Sequence, residues 1–177
     1  MARTMTVSGG ILIDAAPSVV YAHVSDPTAM GRWSPENRGA RVLGDRREAY
    51  VGMVFEGRNK RGAFSWTTRC TVTAADPGTR FAFRVHAIGA RRPRLRGAIA
   101  LWEYRFEEAG GSTRVTETWT DERRSWPDLL ANAFDRVATR GRTFAEFQRG
   151  NIRTTLERLK AALEEDGETA GRHAADG

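Results

Sequence analysis

A chain of 177 residues with 40% apolar and 28% charged residues fits one domain with a sizeable core. That composition excludes wholesale disorder and leaves two full domains cramped. The net charge of +6 rests almost wholly on arginine, Lys60 and Lys160 being the only lysines, and scattered arginines do not make a nucleic-acid footprint.

No apolar run approaches the roughly 20 residues that span a bilayer. Residues 1–10 lack the basic-then-apolar layout of a leader. Cys70 is the single cysteine, so no internal disulfide and no cysteine metal cluster can form. A cytoplasmic protein is expected, monomeric or homodimeric, without a metal or cofactor.

In chain order, Thr6 to Ile13 reads as a strand, stopped by Asp14-Ala-Ala-Pro17. Pro17 suits the first turn of a short helix to Val24. Ser25-Asp26-Pro27 repeats the start signal, so a second short helix runs to about Trp33. Strands follow at 40–44, 50–58, 64–75, 80–88, 97–108 and 112–121, separated by Lys60-Arg61-Gly62, Asp76-Pro77-Gly78 and Ala109-Gly110-Gly111. Short links with no intervening helix make the sheet antiparallel. Arg91, Arg92, Arg94 and Arg96 crowd around Pro93 in a predicted hairpin loop. Such a run is a solvated tip or a contact for phosphates or a membrane surface.

After Asp121 the period becomes helical. Leu130, Phe134 and Val137 share one face of a segment that breaks at Arg140-Gly141-Arg142. A longer helix from about 143 to 165 then carries Phe144, Phe147, Ile152, Leu156, Leu159 and Leu163 on its apolar face. Gly167 to Gly177 is small, polar and expected to be a flexible tail, with residues 1–166 forming the domain.

Alternation within the strands picks out one inward face. It carries Met53, Phe55, Gly57 and Asn59; Trp66, Thr68, Cys70 and Val72; Phe81, Phe83 and Val85; Trp102, Tyr104 and Phe106; and Val115, Glu117 and Trp119. One helical stripe must cover this set of rings, which leaves either a residual cavity for an apolar ligand or a core filled by the rings themselves. Asn59, Thr68, Glu117 and the helical Asn151 are polar on that face. They need partners, from an internal network or from a cavity holding water or a ligand's polar group. Glu117 and Tyr104 are the only candidates for acid–base chemistry. His23, His86 and His173 assemble no metal site.

The segments Ile13-Asp14-Ala15-Ala16-Pro17-Ser18-Val19-Val20-Tyr21, Ser25-Asp26-Pro27 and Arg32-Trp33-Ser34-Pro35 resemble the SRPBCC (START/Bet v 1-like) superfamily. Gly52 to Asn59, Trp66 and Thr113 to Glu117 resemble its polyketide cyclase/dehydrase branch. The resemblance covers roughly residues 5–163. It implies a helix-grip α+β fold: a seven-stranded antiparallel sheet around a long C-terminal helix, with two short helices between the first two strands. It also implies a small hydrophobic ligand, such as a lipid, polyketide or aromatic metabolite, in a cavity between sheet and helix. Trp33 would stand near the mouth, and Trp66, Phe83, Trp102 and Glu117 inside. The whole candidate lining is Trp33, Phe55, Asn59, Trp66, Thr68, Phe83, Trp102, Tyr104, Glu117, Trp119, Phe147 and Asn151. A cyclase/dehydrase enzyme is the alternative function, and a chaperone-activator-like interaction module a second one.

Overall fold

The computed structural model describes residues 4–175 apart from 125, 128, 130, 132–134, 137, 138, 140 and 142, and only the backbone of 168–175. The expected helical face of Leu130, Phe134 and Val137 lies outside the described residues, as do Arg140 and Arg142.

Strand β1 (Thr6–Ile13) leads into helix α1 (Pro17–Val24), which starts on Pro17. The second short helix is a 3-10 turn, Pro27–Arg32, rather than an α-helix. Asp26 caps it by accepting from the Thr28 amide at 2.9 Å. Six strands follow: β2 (Asn37–Val42), β3 (Val54–Arg61), β4 (Phe64–Asp76), β5 (Arg80–Gly89), β6 (Leu95–Ala109) and β7 (Ser112–Asp121). Helix α2 runs from Phe144 to Ala175. The sheet has the order β1-β7-β6-β5-β4-β3-β2, every neighbouring pair antiparallel.

Several boundaries differ from the sequence expectation: β3 runs through Lys60 to Arg61 instead of ending at 58, β6 begins at Leu95 instead of 97, and β2 ends at Val42 instead of 44. β2 begins at Asn37 instead of 40. β3 begins at Val54 because Tyr50 to Met53 closes a turn, with Gly52 at φ +95 where a side chain would strain the backbone. α2 carries beyond 165, its backbone helical as far as Ala175.

α2 packs chiefly along β1, at the edge of the sheet. A Cβ on Gly9 would stand 2.8 Å from Ile152 Cγ2, so glycine lets the helix seat directly on the strand. The helix buries Ala145, Gln148, Ile152, Thr155, Leu156, Leu159 and Leu163, a stripe recurring every three or four residues. α1 contacts β5, β6 and β7 near the β4–β5 and β6–β7 turns. The opposite end of the sheet carries the β3–β4 and β5–β6 hairpin tips, the end of β7 and the start of α2. Phe144 stacks on Trp119 there at 6.4 Å.

The sheet's outer face is held by ion pairs: Arg41 and Arg69 on Glu56, Arg80 and Arg105 on Glu103, Arg84 on Glu122. His86 lies on that face too, bonded to Thr71 at 3.0 Å. No described helix is long and apolar enough to cross a membrane.

Candidate ligand site

The β6–β7 register sets the chemistry of the interior. Tyr104 pairs directly with Glu117, and Gly9 flanks Glu117 on the other side. The Tyr104 hydroxyl donates to Glu117 Oε1 at 2.8 Å. Glu117 is 1% exposed and Tyr104 5%, and Glu117 Oε2 is buried with no hydrogen-bond partner among the described residues. Burial in apolar surroundings pushes the Glu117 carboxyl up to about 8, against the smaller opposing effect of the Tyr104 hydrogen bond. Burial also carries the Tyr104 hydroxyl well above its ordinary value, and the neighbouring Glu117 adds to this. Glu117 therefore keeps its proton near neutral pH. With Oε1 accepting from Tyr104, the proton sits on Oε2, which has no hydrogen-bond acceptor among the described residues.

Around this pair the inward face divides into two zones. Phe55, Phe83 and Trp119 are buried, and Phe83 meets Phe55 edge-on at 5.3 Å and Phe81 at 5.9 Å. These rings pack as core. Asn59, Trp66, Thr68, Trp102, Phe147 and Asn151 are only half-buried. They belong to the half of the sheet and helix nearer the hairpin tips. On β4 the inward positions Phe64, Trp66, Thr68 and Cys70 pass from exposed through half-buried to buried, so burial falls off toward this end. Trp33, expected at a rim, is 2% exposed and packed in the core cluster. The 3-10 helix places it under β2 rather than at an opening.

The polar residues find different partners. Asn59 Nδ2 donates to the Gly57 carbonyl at 3.2 Å and to Thr68 Oγ1 at 3.3 Å, and Thr68 reaches the same carbonyl at 3.4 Å. That is an internal network. Asn151 instead donates to Glu36 Oε2 at 3.0 Å and Gln148 Oε1 at 3.2 Å. Glu36 Oε1 holds the Arg61 guanidinium, which lies 3.8 Å from the Phe147 ring centroid and 5.4 Å from that of Trp66. A charged latch thus joins the β3–β4 tip, the turn after the 3-10 helix and α2 at this end of the sheet. Glu36 and Arg61 carried no sequence signal, because Glu36 bonds Arg61 25 positions away and Asn151 115 positions away along the chain.

Among the described residues no cluster of His, Cys, Asp and Glu could hold a metal ion. His23 bonds the Val19 carbonyl within α1 at 3.0 Å. The His173 side chain lies outside the described residues. A concavity of about 400 Å³, lined by Ala40, Arg41, Glu56, Arg58, Thr67 and Arg91, lies on the outer face and is separate from the interior residues.

A curved antiparallel sheet, two short helices after its first strand and one long C-terminal helix define the START/Bet v 1-like helix-grip class. Within it, the family described as polyketide cyclase / dehydrase and lipid transport matches residues 4–164, and the chain belongs to that family. The solution structure of the polyketide-cyclase-like protein Cgl2372 of Corynebacterium glutamicum is 27% identical, with a TM-score of 0.58 over 96% of this chain and 97% of that one. A START superfamily protein of Mycobacterium smegmatis has a TM-score of 0.66 at 13% identity, covering 92% and 99%. Protein NE0264 of Nitrosomonas europaea also has a TM-score of 0.66, at 10% identity, covering 95% and 99%. At those lower identities the likeness is one of fold. Among curated proteins nothing matches the chain significantly.

Proposed function

We propose that the protein binds a small hydrophobic molecule between the sheet and α2, entered from the end that carries the Glu36–Arg61–Asn151 latch. One observation carries this reading: Glu117 Oε2, buried deep in an apolar interior with no hydrogen-bond partner among the described residues. Leaving such a group unsatisfied costs about 1–3 kcal/mol, which a ligand's polar atom would offset. Because the proton resides on Oε2, the ligand group it favours is an acceptor, such as a ketone or ester carbonyl. The half-buried Trp66, Trp102 and Phe147 supply the apolar walls.

The same geometry favours a second reading, the cyclisation or dehydration of a polyketide. A neutral carboxyl with its pKa near neutrality, backed by a tyrosine hydroxyl, has the properties of a general acid for a carbonyl substrate. Tyr104 would act as a positioning residue, fixing which oxygen bears the proton.

An environment-sensitive neutral apolar dye tests the binding reading. Saturable binding is expected, with a rise in melting temperature by mass action. Trp102→Ala should weaken it at least several-fold, whereas substitution of the outward Glu103 should not. Absence of saturable binding would refute the reading. Turnover of a poly-β-ketone mimic, lost about 10²–10⁴-fold in Glu117→Gln with binding retained, would select the enzyme.

A further inference from the structure

The arginines of the outer face are neutralised one after another by Glu56, Glu103 and Glu122. The β5–β6 tip is different. Arg91, Arg92, Arg94 and Arg96 are all exposed, and among the described residues no acidic side chain pairs with them. The loop is nonetheless built. Pro93 is buried, the Arg94 amide donates to the Arg92 carbonyl at 2.9 Å, and Thr67 donates to the Arg91 carbonyl at 3.4 Å.

Large apolar side chains stand beside these cations. Leu95 is 71% exposed on the same tip, and Phe64 is 74% exposed on the β3–β4 tip. The register places the two tips together: Arg61 opposite Phe64, Thr67 opposite Gly89, Ile88 opposite Leu95. Lys60 is exposed here too. Leu129, 81% exposed, follows the point where β7 ends at this end of the sheet.

Unpaired cations beside apolar side chains left in water match an anionic bilayer. Arginines pair with phosphates while the apolar groups sink below the headgroups. A nucleic acid would use the cations and could stack a base on Phe64, but would leave Leu95 in water, which offers no flat face for stacking. We propose that this end of the sheet docks on an anionic lipid bilayer, Phe64 and Leu95 entering the interfacial region and Arg91, Arg92, Arg94 and Arg96 pairing with lipid phosphates. Docking needs no occupant in the interior, so it stands or falls apart from the ligand reading. It would bring the Phe64–Trp66–Thr68 approach to the interior against the membrane.

Co-sedimentation with vesicles tests this, using phosphatidylcholine alone or with one third phosphatidylglycerol, at physiological salt. The full chain should bind the mixed vesicles and ignore the neutral ones. Replacing all four arginines by serine should weaken binding by on the order of 10²–10³-fold, about fivefold per charge. Phe64→Ser with Leu95→Ser should weaken it about tenfold or more. All six side chains are exposed, so melting temperatures should hold. Should a multiple variant fold poorly, the single Leu95→Ser and a salt titration of the unsubstituted chain decide instead. Failure to bind mixed vesicles, binding that the variants retain, or tighter binding to DNA at the same salt would overturn the proposal.

Discussion

Glu117→Gln isolates the consequence of burying a carboxyl that keeps its proton. In the unfolded chain the group ionises near its ordinary 4.5, and in the folded one near 8. Between those values the folded state binds one more proton than the unfolded state, so stability falls as pH rises, by about 1.4 kcal/mol per pH unit. The stability present below about pH 4.5 is lost progressively until pH 8, a total on the order of 3–5 kcal/mol. Glutamine keeps the shape and lets its amide oxygen accept from Tyr104, but has no proton to lose. The variant should therefore match the parent within about 1 kcal/mol near pH 5 and exceed it by roughly 2–5 kcal/mol at pH 8. Urea unfolding of both proteins at pH 5, 6.5 and 8 measures the difference, provided the m-values agree. A difference independent of pH would refute the reasoning, because Glu117 would then share its ionisation state with the unfolded chain.

Arg123→Ala should cost about 3–5 kcal/mol in the same assay. Arg123 is 6% exposed and bonds buried Asp121 and Asp135, so its loss removes the guanidinium that balances two buried carboxylates; a cost below 1 kcal/mol would contradict that role. The Cys70 thiol, buried and pushed up to about 12 by its surroundings, should resist a thiol reagent at pH 8 and react at once on unfolding. Rapid reaction of the native protein would show that the interior opens as far as Cys70. Phe83→Ala, which removes a ring packed on Phe55 and Phe81, should cost about 3–5 kcal/mol. Trp102→Ala should cost less despite the larger ring, because Trp102 is only half-buried. The reverse order would mean that the space beside Trp102 is filled.

Much of this was legible in the strands. β4, β5 and β7 alternate cleanly enough that Phe83, Glu117 and Trp119 fell on the inward face from spacing alone. The Tyr104–Glu117 pair was implicit as well: once Gly110 and Gly111 are the turn, Ala109 opposite Ser112 fixes every later pairing of β6 with β7. The Glu36–Arg61–Asn151 latch was not legible. Glu36 meets Asn151 across 115 positions, and no local pattern announces a contact set by where a 3-10 helix leaves the chain. Trp33 was misplaced for the same reason, since its burial depends on loop geometry rather than periodicity. β3 was started too early because Tyr50 and Val51 favour strands, while the Gly52 turn overrides them.

The claim on which the proposed function depends is that the interior beside Trp66 and Trp102 admits a small apolar molecule. The five tryptophans give five indole N–H signals, resolvable by single Trp→Phe variants in a nitrogen-15 NMR spectrum. Titration with a neutral aromatic ketone should shift the Trp66 and Trp102 signals saturably and together, with one affinity. Unchanged Trp66 and Trp102 signals, with shifts confined to the exposed Trp126, would contradict the account.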